Sequence, residues 1–333
     1  MTVDGREVRA SAEREAPARR RRQRGFRTSC VLAVALAFQL TPPGPATAQQ
    51  RPAAFAEGPV LQTSDVDRFF AVFDAAGGAP TALQLQTDYL DQGSPGLKHF
   101  ASIRNITGER IASAIAARPG MYLDARRCAA TLPAVRRRVG EALDRLAELY
   151  PEARFPAATI SVGRGRPVAV ASASDGINIG LEALCATTFI NPDEEDRFVG
   201  VLVHEYVHVQ QSPLLQDADS LTVLGGAFAE GAAEFVTELL TGDVAYTYLA
   251  ALVRGRETEI ETAFAADMHK TDLSAWLYNS TPEKPGDLGY WVGYRIVKTY
   301  YDRSPDKVAA LRSILQATDA EAFLAESGWR PGG

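Results

Sequence analysis

Hydrophobic and polar positions along this chain follow a helical period in most segments and an extended pattern in a few. Apolar side chains three and four residues apart predict helices. In the first half of the chain these segments are residues 65–73, 82–89, 103–117 and 132–150. Residues 156–162 and 168–172 are β-like, and Asp175-Gly176 before residues 177–179 is a hairpin signal. After Asn191 the helical segments are residues 198–211, 224–240, 244–253, 257–266, 288–301 and 307–315.

This order of segments predicts an α+β protein that is mostly α, in which a small β region precedes a helical lobe. We expect residues 49–190 to form an N-terminal α+β lobe and residues 191–333 a helical lobe. The segment from Val168 to Ser172 is the candidate edge strand. Such a strand beside a cleft can pair with extended peptide backbone, and the alternative is a hairpin without a ligand.

The first 48 residues have the ordered parts of a secretory signal peptide. A basic region around Arg19–Arg22 precedes an apolar core, Val31–Leu40, and the small residues Ala46-Thr47-Ala48 fit a cleavage site. The apolar core is too short to span a bilayer comfortably. We therefore expect an exported protein, periplasmic or secreted from a bacterium, with no stable membrane span after cleavage of the signal.

Charge and cysteine content limit the partners. Residues 1–48 hold nine arginines and four acids, so the remainder carries a net charge of −11 against −6 for the whole chain. Nucleic acid and anionic membranes are poor partners for such an acidic protein. Export would place Cys128 and Cys185 in an oxidising compartment, where they either pair or remain buried thiols. The sequence leaves the oligomeric state open.

His204-Glu205-Tyr206-Val207-His208 is the stretch with the most specific chemistry. Two of the four histidines of the chain stand here, in a segment whose apolar residues predict a buried helix. Positions i and i+4 share a helix face, so both imidazoles can bind one Zn²⁺. Glu205 can then act as general base towards a water molecule. The motif predicts a zinc-dependent hydrolase, and the alternative is an ordinary helix with two histidines.

A third ligand is expected because catalytic zinc usually takes three protein ligands and one water. Glu230, Glu234 and Glu238 share one face of the next apolar segment. Small and apolar residues flank them, so at least one carboxylate needs a buried partner. Glu230, which follows His208 by 22 residues, is the candidate third ligand. The alternative is a solvated acidic face.

The two histidines followed by Glu230-Gly231-Ala232-Ala233-Glu234-Phe235 resemble the gluzincins, the zinc peptidase clan of thermolysin and the alanyl aminopeptidases. The resemblance implies a zincin-like fold, with Glu230 as third zinc ligand and Glu234 as the acid that orients a ligand histidine. The swapped assignment of the two acids stays open. In the segment from Gly289 to Val297, the clan's oxyanion-stabilising tyrosine corresponds to Tyr290, with Tyr294 as second choice.

Between Phe155 and Tyr301 the chain looks most like a family of bacterial proteins called predicted Zn-dependent proteases. Segments that carry this likeness include Ile179-Gly180-Leu181-Glu182 and Gly289 to Tyr294. The implied function is a zinc metallopeptidase for peptide or protein substrates, with Glu205 as its catalytic base. No amine-binding motif of the Gly-x-Met-Glu-Asn type is present, so exopeptidase specificity is not supported. The alternative is a binding protein of the cell envelope that keeps the zinc scaffold and cleaves nothing.

Overall fold

Helices make up most of the computed structural model, and a four-stranded sheet accompanies them. The structure describes residues 61–166, 168–172, 176–213 and 221–333. This composition confirms the predicted α+β, mostly α class. The predicted signal peptide, residues 1–48, and Asp175 of the hairpin signal lie outside the described residues.

The helices of the first half pack around an aromatic core. They are α1 (Ser64–Ala75), α2 (Ala82–Gln84), α3 (Pro95–Arg104), α4 (Gly108–Ala117), α5 (Pro119–Ala129), α6 (Leu132–Leu149) and α7 (Leu181–Ala186). A π-helical segment, Leu85–Leu90, continues α2. The ring of Phe69 contacts Tyr89 and Tyr122 at centroid distances of 5.3 and 5.9 Å. These contacts join α1, the π-helical segment and α5.

The single helix predicted for residues 103–117 is wrong, because the chain forms two helices there. α3 ends at Arg104, and Asn105 adopts a left-handed conformation with φ 50°. α4 then begins after Thr107, whose hydroxyl accepts a hydrogen bond from the backbone N–H of Arg110 at 3.3 Å. Asparagine tolerates the left-handed region and threonine caps helix N-termini. These local preferences prevail over the apolar spacing.

The sheet has the strand order β1–β2–β4–β3. Its strands are β1 (Leu61–Gln62), β2 (Ala158–Ser161), β3 (Ala169–Ser172) and β4 (Gly176–Gly180). β2 runs parallel to both β1 and β4, whereas β3 is antiparallel to β4, with Ala171 opposite Ile177. β2 and β4 are fully buried. β3 is the last strand in this order and therefore lies at an edge of the sheet, in agreement with the prediction for Val168 to Ser172.

The second half of the described chain is helical, as its pattern predicts. Its helices are α8 (Glu194–Gln210), α9 (Val223–Thr241), α10 (Tyr248–Val253), α11 (Glu257–Asp267), α12 (Leu288–Arg303), α13 (Lys307–Gln316) and α14 (Ala320–Ser327). α8 and α9 are buried over most of their surfaces and pack against each other. The Asp193 carboxylate caps α8 by accepting the Asp196 N–H at 2.9 Å. The core of this half thus lies around α8 and α9.

α9 and α12 approach each other so closely that their backbones touch. A Cβ atom on Gly231 would overlap the backbone of Gly293 and Tyr294, and one on Gly293 would overlap the carbonyl of Ala227. Glycine at both positions makes this crossing possible. Because Tyr290 precedes Gly293 by about one turn, the crossing brings Tyr290 towards the part of α9 that carries Glu230.

A disulfide and a buried arginine fix the start of α8. Cys128 of α5 is bonded to Cys185 of α7, so the structure has the paired form of the two alternatives. Arg197 of α8 is 1% exposed and donates hydrogen bonds to the carbonyls of Leu184, Cys185 and Asn191 at 3.0, 3.1 and 2.6 Å. The guanidinium thus ties the last turn of α7 and the loop after it to the start of α8.

Within the described part of the chain, no helix has both the length and the apolar character needed to cross a membrane. The described residues belong to one compact unit, and α6 packs on α8 across residue 190. The division into lobes between residues 190 and 191 stays a prediction.

Candidate metal centre

His204 and His208 of α8 present their side chains one turn apart. Their ring centroids are 4.7 Å apart, and their Nε2 atoms are separated by 3.0 Å. His204 is buried and His208 is partly buried. The i, i+4 spacing on a buried helix thus brings two imidazole nitrogens to one point.

Glu230 of α9 supplies a carboxylate oxygen to the same point. Its Oε2 lies 3.1 Å from Nε2 of His204 and 3.2 Å from Nε2 of His208. In a tetrahedral zinc site with bonds of about 2.0–2.1 Å, neighbouring ligand atoms are roughly 3.3 Å apart. The structure therefore brings the three predicted ligands together at a spacing that fits zinc.

Groups outside this triad orient both imidazoles. The Oε1 atom of Glu234 lies 2.7 Å from Nδ1 of His204, and its Oε2 accepts the backbone N–H of Tyr246 at 3.0 Å. Nδ1 of His208 lies 2.8 Å from Oε1 of Gln211. With acceptors at both Nδ1 atoms, the hydrogens belong there and each Nε2 carries a lone pair. Three atoms with lone pairs at one point are a donor set for a cation, and Glu234 contacts the other nitrogen of the His204 ring.

Protons compete with a metal for the Nε2 atoms of the two histidines and for Oε2 of Glu230. Burial disfavours the charged form of His204, but the hydrogen bonds with Glu230 and Glu234 outweigh burial and raise its pKa to about 10. For Glu230, burial is outweighed by the contacts with His208 and His204, which hold its pKa well below the usual range. A metal ion at this point thus replaces a proton held between imidazole and carboxylate.

Glu205 opens on a cleft of about 460 Å³ that also exposes the three candidate ligands. One wall of the cleft is the segment from Val168 to Ala171, which includes most of the edge strand β3. Burial raises the pKa of the Glu205 carboxyl, while the nearby His208 and His204 lower it. Glu205 is therefore placed to exchange a proton with a molecule in the cleft.

The two candidate tyrosines of α12 lie in different places. Tyr290 lines the cleft and its ring is nearly parallel to that of His204, with centroids 6.2 Å apart. The hydroxyl of Tyr294 instead donates to Oε2 of Glu238 at 2.9 Å, and Tyr294 lines another surface cleft with Lys298. The structure brings Tyr290 to the candidate ligands and does not bring Tyr294 there.

Tyr278 is a site residue that the sequence did not predict. It lies on the loop between α11 and α12, where its hydroxyl donates to Oε1 of Glu230 at 2.8 Å. Its φ of 58° is in the left-handed region. The backbone N–H of Asn279 donates to Oδ1 of Asp287, and the N–H of Asp287 donates to Oδ1 of Asn279, both at 2.7 Å. These two bonds close the loop that holds Tyr278 against the candidate ligand.

Comparison with known proteins gives one family match. The model of the family described as "Predicted Zn-dependent protease (DUF2268)" matches residues 139–324, more than half of the chain. The matched range includes the three candidate ligands, Glu205 and Tyr290. Comparisons with curated proteins and with solved structures found no match.

Proposed function

This chain belongs to the family of predicted Zn-dependent proteases, and we propose that it is an exported zinc metallopeptidase that hydrolyses peptide bonds. The observation that carries this proposal is the convergence of His204 Nε2, His208 Nε2 and Glu230 Oε2 within the cleft that Glu205 lines. A site of two histidines and a glutamate from the following helix is of the gluzincin type.

His204, His208 and Glu230 would hold the metal. When bound, zinc polarises the scissile carbonyl and lowers the pKa of the attacking water. The Glu205 carboxylate accepts a proton from that water and delivers it to the nitrogen of the leaving amine. The Tyr290 hydroxyl donates a hydrogen bond to the oxyanion that develops on the carbonyl. The edge strand β3 binds extended substrate backbone by strand addition.

Export is the second part of the proposal. The order of basic, apolar and small residues within residues 1–48 supports it. The disulfide between Cys128 and Cys185 also supports it, because disulfides persist in oxidising compartments. Detection of the mature chain in the periplasm or medium, with its N-terminus near residue 49, would test this part.

The peptidase is tested by measuring metal content and cleavage together. We expect one zinc ion per purified chain, cleavage of members of a broad peptide library, and loss of cleavage with a chelator that zinc restores. One zinc per chain without cleavage of any peptide would favour the binding protein that keeps the scaffold. A chain that takes up no zinc at neutral pH would contradict both functions.

A further inference from the structure

A second cleft, of about 740 Å³, is lined mainly by arginines. Its lining residues are Glu109, Arg110, Ser113, Ala114, Arg118, Arg164 and Arg166. Four cationic side chains and one acid thus face one space, in a chain whose net charge is −6. Such a local excess of positive charge attracts anions.

These four arginines lack the carboxylate partners that other arginines of the chain have. Arg137 pairs with Glu141 at 2.9 Å, and Arg138 pairs with Asp196 at 2.7 Å. None of the four arginines of the second cleft has a carboxylate within 4.0 Å among residues 61–166, 168–172, 176–213 and 221–333. Burial, with Arg110 and Arg166 nearby, lowers the pKa of Arg164. Among the described residues, no carboxylate therefore forms an ion pair with any of the four, although the charge of the buried Glu182 acts on Arg118.

The fold holds the centre of this cluster in place. The buried carboxylate of Glu182 accepts the backbone N–H groups of Gly163 and Gly165 at 2.9 and 2.8 Å. Arg118 donates to the carbonyl of Arg164 at 3.1 Å. Gly165 has φ +83°, and a Cβ there would overlap the Arg118 guanidinium. Glu182 therefore holds the turn at residues 163–165, which carries Arg164. The acid that lines the arginine cleft is a different residue, Glu109.

The arginine cleft adjoins the candidate catalytic cleft. Arg164 donates to the carbonyl of Arg104 at 3.2 Å, and Arg104 lines the catalytic cleft. Arg164 and Arg166 line the arginine cleft, and the segment from Val168 to Ala171, which follows them closely in the chain, lines the candidate catalytic cleft. Arg164 precedes Val168 by four residues, so their Cα atoms are at most roughly 13 Å apart. A peptide that lies along β3 therefore reaches the arginines within about four residues.

We propose that the arginine cleft is a subsite for carboxylate groups of a peptide substrate, a few residues from the scissile bond. This inference rests on the proposed peptidase function and gives its substrate class, peptides that carry a carboxylate group a few residues from the scissile bond. The carboxylates are either Asp and Glu side chains or the C-terminus of the peptide, because both match the planar guanidinium. Exposed charge pairs are weak one by one, so the subsite sets a preference through several of them.

Binding of matched peptides to the zinc-loaded full chain with Glu205→Gln tests this subsite without cleavage. The probes are dansyl-labelled, alanine-rich dodecapeptides. Each acidic peptide has three glutamates near one end, and its neutral match has glutamines at the same positions. Every peptide is made with a free and with an amidated C-terminus. At low ionic strength we expect a glutamate or free-carboxylate peptide to bind about fivefold more tightly than its neutral match. Tighter binding of the glutamate peptides identifies side-chain carboxylates as the bound groups, and tighter binding of the peptides with a free C-terminus identifies the terminal carboxylate.

Two double variants in the same background locate the preference. Arg110→Gln with Arg166→Gln should abolish it, and both side chains are exposed, so the fold and the zinc content should persist. Arg68→Gln with Arg254→Gln removes the same charge from exposed positions that line neither cleft, and should keep the preference. Zinc content and circular dichroism of each variant verify that it is folded.

Equal binding of acidic and neutral peptides would overturn the subsite, as would a preference that survives loss of Arg110 and Arg166. The peptidase proposal fails separately. If acidic peptides bind through the arginines and the unmodified chain cleaves nothing, the anion site stands and the peptidase does not. If the unmodified chain cleaves neutral and acidic peptides equally, only the subsite is wrong.

Discussion

At the scale of single residues, the two carboxylates that contact the histidines each use both of their oxygens. Glu230 directs Oε2 at the two histidines, and its Oε1 accepts from Tyr278. Glu234 uses Oε1 for His204 and Oε2 for the backbone of Tyr246. A carboxylate that is fixed at both oxygens cannot rotate freely, so the position of the ligand atom is well defined. Glu205 differs from both because its carboxyl faces the cleft.

Glu205→Gln should retain zinc and lower kcat by about 10²–10⁴-fold, because the amide has a similar shape and cannot accept the proton. Metal analysis and turnover of a peptide substrate measure the two effects. Glu283→Gln, on an exposed loop, is the matched control and should change neither. Turnover by Glu205→Gln at the rate of the unmodified chain would rule out the proposed base.

Tyr278→Phe should raise the Kd for zinc about tenfold, because it removes the hydrogen bond that fixes Oε1 of Glu230. Competition with a chromophoric chelator measures this Kd. Tyr294→Phe is the control, since its hydroxyl bonds to Glu238 and not to a candidate ligand. An unchanged Kd in Tyr278→Phe would show that the phenol does not support the metal centre.

At the scale of elements, the helices that form the site are the ones that the apolar pattern predicts well. α8 and α9 are buried on most sides, and apolar residues run along each for more than a dozen residues, a length that favours a helix over a strand. The pattern fails where local polar residues decide, as at Asn105. Tyr278 was not predictable, because it lies in an irregular loop 48 residues from Glu230 and only tertiary contacts bring them together. The sequence places Gly231 and Gly293 in the family motifs, but only the structure shows that they allow the close crossing of α9 and α12.

Gly231→Ala should destabilise the protein by about 3 kcal/mol, because the new methyl group overlaps the backbone of α12. Denaturant unfolding of the two proteins measures the loss. Gly120→Ala is the control: Gly120 lies in α5 with no atom near the position of its Cβ, so alanine should be neutral or stabilise by about 1 kcal/mol. Equal stabilities of Gly231→Ala and the unmodified chain would contradict the close crossing.

At the scale of the whole molecule, the sheet and the helices meet at the candidate site. The edge strand β3 forms one wall of the cleft, and α8 and α9 supply the candidate ligands. The disulfide joins α5 to α7, and Arg197 joins α7 to α8. The first half of the described chain is thereby tied to the helix that carries both histidines.

Loss of the disulfide should lower the free energy of unfolding by about 4 kcal/mol, since it closes a loop of 57 residues. Thermal unfolding with and without dithiothreitol measures the change in Tm. The Cys128→Ala, Cys185→Ala double variant is the control, because it should start from the lower Tm and show no further response to the reductant. A Tm of the unmodified chain that dithiothreitol leaves unchanged would contradict a stabilising disulfide.

The closed loop between Tyr278 and Asp287 has a consequence for the thermodynamics of metal uptake. Both residues adopt left-handed conformations, each of which costs about 1–3 kcal/mol in a residue other than glycine. The mutual bonds between Asn279 and Asp287 offset that strain, and neither bond involves a candidate ligand. The conformational entropy of ordering Tyr278 is therefore lost during folding and not on binding. Metal uptake by this protein should accordingly proceed as binding to a preorganised site, with little loss of backbone entropy.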